Sequence, residues 1–163
     1  MSDYIAPAVA MLIPNVGGFV GGLAVKGNIK TWFDHLKLPS WRPPTWLFGP
    51  VWTTLFCCMG YASYLVWRDG GGFGGDAALP LTAYCTQLAI NWVWAPIFFG
   101  TRNLKWSMTT AVCLWTSIAG TIYLFYGINE TASYLMLPYL GWVSFGTALT
   151  YKLWSDNPDP KKE

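Results

Sequence analysis

The chain is 163 residues long, 53% apolar and 18% aromatic with eleven Trp, yet only 11% charged, with a formal net charge of +2. Soluble domains carry about 25% charged residues, so this chain has too few polar groups to cover a surface in water and needs lipid as its solvent. The small charge and the lack of a basic stripe with interleaved aromatics exclude nucleic acid as a partner, and the length fits one domain over residues 1–163.

Crossing roughly 30 Å of hydrocarbon takes about 20 apolar residues in a helix, and five segments meet that requirement. The first, residues 5–25, has only Asp3 charged before it and no small-residue cleavage site, so it reads as a span and not as a secretory leader. Its Gly17, Gly18, Gly21 and Gly22 form two overlapping GxxxG patterns. Such glycines let backbones approach closely, either within the bundle or across a homodimer contact. In the loop that follows, Ile29, Trp32, Phe33 and Leu36 make an i, i+3, i+4, i+7 stripe beside Lys30, Asp34 and Lys37. That pattern predicts a short amphipathic helix on the membrane surface. Pro39, Pro43 and Pro44 then remove backbone donors and force extended or turn geometry.

The second span, residues 46–67, sets Phe48 and Trp52 one turn apart with Pro50 between them, and the glycine-rich run 70–75 follows as a flexible connection. The third, 79–99, stacks Gln87 and Asn91 at i, i+4 beside Trp92 and Trp94. The fourth, 105–126, aligns Trp106, Thr109 and Cys113 on one face, and the fifth, 133–154, aligns Trp142, Gly146 and Leu149. Trp46, Trp67, Trp106 and Trp154 stand at span ends, as interfacial anchors do. The fold class is therefore an all-α membrane protein, a five-helix transmembrane bundle with a short amphipathic helix in its first loop.

Charge placement tests the count of five. Lys26, Lys30, Lys37, Arg42, Arg102, Lys105, Lys152, Lys161 and Lys162 fall on one side of a five-span topology, and Arg68 alone on the other. Four or six spans would scramble that asymmetry, and the rich side would face the cytosol.

Catalytic groups are scarce. His35, the sole histidine, lies in the first loop and reads as a surface residue. Cys57, Cys58, Cys85 and Cys113 fall inside apolar runs without CxxC spacing and read as free buried thiols. No span carries paired carboxylates, a Ser-His-Asp set or a metal cluster, so no catalytic or metal site is assigned. Ion-coupled transport, which uses intramembrane ionisable groups, is disfavoured. The aromatic and small residues at helical spacing fit two structures: a packed core with amides tying helices together, or a flat apolar cavity with a few polar anchors.

Longer motifs add to these patterns. Lys37-Leu38-Pro39-Ser40-Trp41-Arg42-Pro43-Pro44 precedes Gly49-Pro50-Val51-Trp52 and Met59-Gly60-Tyr61-Ala62-Ser63-Tyr64-Leu65-Val66-Trp67. Next come Gln87-Leu88-Ala89-Ile90-Asn91-Trp92-Val93-Trp94, Pro96-Ile97-Phe98-Phe99-Gly100 and Pro138-Tyr139-Leu140-Gly141-Trp142. In this order, over nearly the whole chain, they resemble the translocator protein family, also called tryptophan-rich sensory protein or peripheral benzodiazepine receptor.

The resemblance implies a five-helix bundle, commonly a homodimer, in the outer mitochondrial membrane or a bacterial envelope membrane. The motif wording is closer to animal members, which implies the mitochondrial outer membrane with a cytosolic C-terminus. It implies cholesterol, protoporphyrin or haem, and drug-like molecules as ligands, with no obligatory cofactor, and a role in lipid or tetrapyrrole transport. Carried over by position, the pocket is Gly22, Val25, Phe48, Gly49, Val51, Trp52, Asn91, Trp94, Trp106, Thr109, Cys113, Trp142, Gly146 and Leu149. The family's sterol motif runs Leu/Val, Tyr, Lys/Arg with a short spacer in each gap. Here Leu149 and Tyr151 supply the first part, but Lys152 follows Tyr151 directly, so the strict motif is broken.

Two other functions fit the resemblance. Some bacterial members resemble light- and oxygen-dependent porphyrin degraders, which would give Trp52 and Trp142 a catalytic role. A dimeric membrane scaffold is the other. With no histidine inside a span to ligate iron, a porphyrin would be held by stacking, and metal-free porphyrin should bind no worse than haem.

Overall fold

A computed structural model describes residues 2–157, and among these every regular element is helical. The six α-helices are α1 (Ile5–Thr31), α2 (Thr45–Asp69), α3 (Ala78–Ala95), α4 (Leu104–Tyr126), α5 (Glu130–Leu135) and α6 (Leu137–Asp156). Two stretches, Ile5–Gly27 in α1 and the whole of α4, are long and apolar enough by themselves to cross a bilayer. Side chains of residues 28–31 and 34 lie outside the described set, and so do Ile29, Lys30 and Asp34 of the predicted stripe, along with Lys161 and Lys162.

Helix boundaries agree closely with the predicted segments in α2 and α4 and depart in the other three. α1 continues six residues past Val25, because no proline interrupts residues 26–31 and a single Gly27 is tolerated in a helix. The predicted separate amphipathic helix is therefore not formed. Its first part extends α1, and its second is a 3₁₀ turn at Phe33–His35, where Trp32 and Phe33 pack edge-on against Phe98 and Phe99. The predicted fifth segment is broken at Met136 into α5 and α6. Pro138 has no N–H for the Tyr134 carbonyl and its ring crowds it, so the helix restarts there. Pro96 acts likewise at the end of α3, where Pro96–Gly100 loosens into a π turn.

The helices form a ring in the order α1, α2, α5/α6, α4, α3 and back to α1. Proline and glycine set how closely α1 approaches its neighbours. Pro14 cannot donate to the Ala10 carbonyl, and that stretch of backbone lies against Gly60, where a Cβ would come within 2.6 Å of Met11 Cα. Gly17 seats the Trp92 indole, whose Nε1 donates to the Pro14 carbonyl at 3.3 Å, and Gly18 seats the Phe56 ring.

The two ends of the ring are tied separately. At one, Asn129 caps α5 by accepting from Ala132 N at 2.9 Å while its amide donates to Asp69 at the end of α2. At the other, Asn157 Oδ1 accepts from Lys37 N at 2.8 Å and its Nδ2 donates to Lys37 O at 3.1 Å, clasping the first loop to the end of α6. All four cysteines are free. The expectation of buried thiols is corrected: Cys57 and Cys58 are half-buried, while Cys85 and Cys113 are exposed on faces of α3 and α4 that lipid would cover.

Candidate ligand-binding site

Burial is uneven along the ring. In α2 the buried residues start at Leu55 and continue to Val66, and none of residues 45–54 is buried. In α3 they run from Pro80 to Leu88 and stop. In α6 they break between Val143 and Leu149. The buried residues accordingly fall into two apolar clusters. The larger, around Phe56, Met59, Val66, Leu81, Ile118, Phe125 and Tyr139, fills the Asp69 end. The smaller, Phe98, Leu104, Leu149 and Leu153 with Trp32, Phe33, Leu38 and Trp94 against it, fills the first-loop end.

The residues predicted from sequence gather largely where the clusters meet. Phe48 and Trp142 meet edge-to-face with ring centroids 5.7 Å apart. Trp52 packs on Phe56 at 5.3 Å and on Tyr139 at 6.1 Å, with Val51 against the same cluster. Asn91 Nδ2 donates to the Tyr139 hydroxyl at 2.8 Å, which in turn donates to Gln87 Oε1 at 2.9 Å. Trp94 stacks on Phe98 at 5.0 Å, and its Nε1 is buried without a partner among the described residues. Leu149 is buried beside it, and Gly146 has open space where a Cβ would be. Gly49 is exposed, its carbonyl accepting from Thr53 Oγ1 at 2.8 Å. Over this region hangs the first loop, with Pro39 buried and Trp41 edge-on to Phe145 at 5.6 Å.

The remaining predicted residues are not drawn into that group. On α4 the buried stripe is Leu104, Ser107, Ala111, Leu114 and Ile118, while Trp106 (62% exposed), Thr109 and Cys113 lie on the face turned away from it. On α1 Val25 is buried, but Gly22 is exposed with nothing beside it. Of the sterol-motif residues, Leu149 points into the fold, whereas Tyr151 and Lys152 are exposed and Lys152 Nζ pairs with Asp156 at 3.1 Å. The three do not share one surface.

Sequence reasoning named the two amides of α3 but not Tyr139, the fully buried residue that joins them. A signal was present: a hydroxyl in an apolar run must find a partner, and Gln87 and Asn91 at i, i+4 are the amides available to supply it. A separate concavity of about 660 Å³ lies between the outer face of α1 and the end of α3, lined almost wholly by apolar groups such as Ile13, Val16, Val20, Trp92 and Pro96. Among the described residues no group of three or more His, Cys, Asp or Glu is placed to hold a metal, and His35 is exposed at the rim.

Known proteins share this sequence over most of its length. The profile of the TspO/MBR family matches residues 10–155. The human translocator protein is 45% identical over 158 residues, covering 96% of this chain and 94% of its own, and the bovine translocator protein is 40% identical over the same span. The tryptophan-rich protein TspO of Archaeoglobus fulgidus is 35% identical over 137 residues, 84% of this chain and 87% of its own. The all-helical ring, its membrane-length apolar helices and these matches agree: the chain belongs to the TspO/MBR family of membrane proteins.

Proposed function

We propose that this protein binds flat apolar ligands, sterols and porphyrins above all, in the loosely packed half of its bundle and serves their transport. The observation that carries the reading is the break between the two apolar clusters, bordered by Phe48, Trp52, Asn91, Trp94 and Trp142. A packed core needs no such gap, and large rings around one or two amides suit a flat molecule with a polar edge. On this reading the chain spans the membrane five times as a single domain. Residues 45–54, 89–97 and 144–148 supply the walls, and the first loop the cover. Trp106, Thr109, Cys113 and Gly22 would reach a ligand only if α4 or α1 rotated, so Trp52, Trp142 and Asn91 are the residues that matter most. The outer groove beside Gly21 is where lipid or a second copy of the chain would lie.

The animal relatives and the nine-to-one distribution of Lys and Arg support the outer mitochondrial membrane, with the C-terminus in the cytosol. A bacterial envelope membrane is the alternative. The test is titration of the purified protein with protoporphyrin in the dark, followed by tryptophan quenching, then repeated under light and oxygen. Trp52→Phe and Trp142→Phe should each weaken binding by roughly tenfold, the scale of one lost base-sized stacking contact, while the porphyrin spectrum stays constant in light. Undiminished affinity in both variants would remove the proposed cavity.

A second reading has its own support: both indoles are only half-buried and each sits among other rings, Trp142 against Phe48 and Trp52 against Phe56 and Tyr139, where a macrocycle could stack. Light-dependent bleaching of excess porphyrin to a new product, abolished by either substitution, would make the protein an enzyme.

A further inference from the structure

Four side chains from three helices form a chain of polar contacts at the floor of the loosely packed half: Met59 of α2, Gln87 and Asn91 of α3, and Tyr139 of α6. Met59, Gln87 and Tyr139 are fully buried, so their polar atoms have only one another to satisfy them. The Tyr139 hydroxyl has a single proton and gives it to Gln87 Oε1 at 2.9 Å. It can then only accept from its other neighbour, and Asn91 Nδ2 donates to it at 2.8 Å. At the far end Gln87 Nε2 faces the Met59 thioether at 4.0 Å, a weak acceptor. Turning the Gln87 amide over would set its carbonyl lone pairs against the sulfur's, so the thioether favours the orientation seen. Directionality thus passes from Met59 through Gln87 and Tyr139 to Asn91. Asn91 is only half-buried, and its Oδ1 has no partner among the described residues and is not sealed off.

We infer that this relay sets the polarity of the pocket's amide, so that Asn91 presents an acceptor and selects ligands whose polar group is a hydrogen-bond donor, a hydroxyl or a ring N–H, over acceptor-only ligands of the same shape. The inference rests on the cavity proposed above and makes Tyr139, Gln87 and Met59 positioning residues that touch no ligand. Tying α3 to α6 would need the Gln87–Tyr139 bond alone. The second amide, one turn nearer the first loop, is what gives the chain an open end.

The experiment compares cholestanol with cholestanone, which share one saturated skeleton and differ in a hydroxyl against a ketone. Binding of each to the full chain in lipid nanodiscs is measured for the wild type, Tyr139→Phe and Met59→Leu. The alcohol should bind the wild type roughly three- to tenfold more tightly, the size of one net neutral hydrogen bond. Tyr139→Phe keeps the ring but frees Asn91 to turn over, so the ratio should collapse toward one, largely because the ketone gains. Met59→Leu conserves volume and should narrow the ratio less, and it carries the test if Tyr139→Phe does not fold. A sterol held on the outer surface would not respond to either buried substitution. Equal affinities in the wild type, or a ratio unchanged in the folded variants, would overturn the relay and leave the cavity standing. Failure of both sterols to bind the wild type would overturn both.

Discussion

Glycine does opposite jobs at different positions in this chain. At Gly60 a Cβ would press into the backbone of α1 at Ala10 and Met11, which cannot move aside without shifting the helix. At Gly146 nothing lies within 4 Å of the same atom. Gly60→Ala should therefore lower stability by about 1–3 kcal/mol, as overpacking a tight contact does. Gly146→Ala should leave thermal stability unchanged or slightly raised, since Ala is the better helix former, and should alter protoporphyrin affinity instead. Thermal unfolding in detergent beside a dark titration separates the two, and equal destabilisation would mean that Gly146 is a packing residue. The GxxxG patterns of α1 were legible in sequence as close-approach glycines. Which surface they serve was not, because periodicity says that two backbones meet without saying whose. Gly17 and Gly18 turn out to seat Trp92 and Phe56 of the same chain, Gly21 lies near the Trp92 carbonyl, and a Cβ at Gly22 would meet nothing within 4 Å.

Helix ends carry the clearest charge effect. Asp69, just beyond the second predicted span, is held below the usual carboxylate range first by its hydrogen bond from Arg68 and then by that from Asn129. A lowered pKa means that the contribution to stability is present above the ordinary carboxylate value, about 3.9, and is lost as pH falls through the lower folded value. The unfolding temperature should therefore be insensitive to this group near neutrality and fall only in acid below about pH 4. Asn129→Asp keeps the cap acceptor for Ala132 but sets a second carboxylate against Asp69. That variant should be less stable at neutral pH and recover as mild acid protonates the pair. Asn129→Ala should lose about 1 kcal/mol from the N-cap, with a further loss while Asp69 is ionised that fades in acid as that carboxylate protonates. If Asn129→Asp melts with the wild type at neutral pH, the tie between α2 and α5 has no weight. At this scale hydropathy located each apolar stretch but could not register backbone donors. Pro138 was in plain view, yet an apolar run that includes it averages the same whether the helix continues or restarts at Leu137.

For the molecule as a whole, the asymmetry of packing is the property that no window of sequence contains. Phe48, Trp52, Asn91, Trp94 and Trp142 were each legible as candidate lining, from spacing and from family motifs. Their meeting at the boundary of two clusters depends on where burial stops along α2, α3 and α6, which lie far apart in the chain. The helices are interrupted at Pro96 and Pro138, and Trp32, Phe33 and Leu38 pack against the smaller cluster at the first-loop end. The face of α4 bearing Trp106, Thr109 and Cys113 could not be oriented from periodicity, since both faces of that helix are apolar. A pocket covered by a loop should release its ligand through that loop, and the clasp between Asn157 and the Lys37 backbone is the contact to break. Asn157→Ala removes both hydrogen bonds to the Lys37 backbone, each worth about 1 kcal/mol net, and should speed porphyrin dissociation severalfold. Lys37→Ala should not, because only its backbone is engaged. Stopped-flow chase of bound protoporphyrin distinguishes them: equal off-rates in wild type and Asn157→Ala would route exit between helices, whereas acceleration in Asn157→Ala alone makes the first loop the gate.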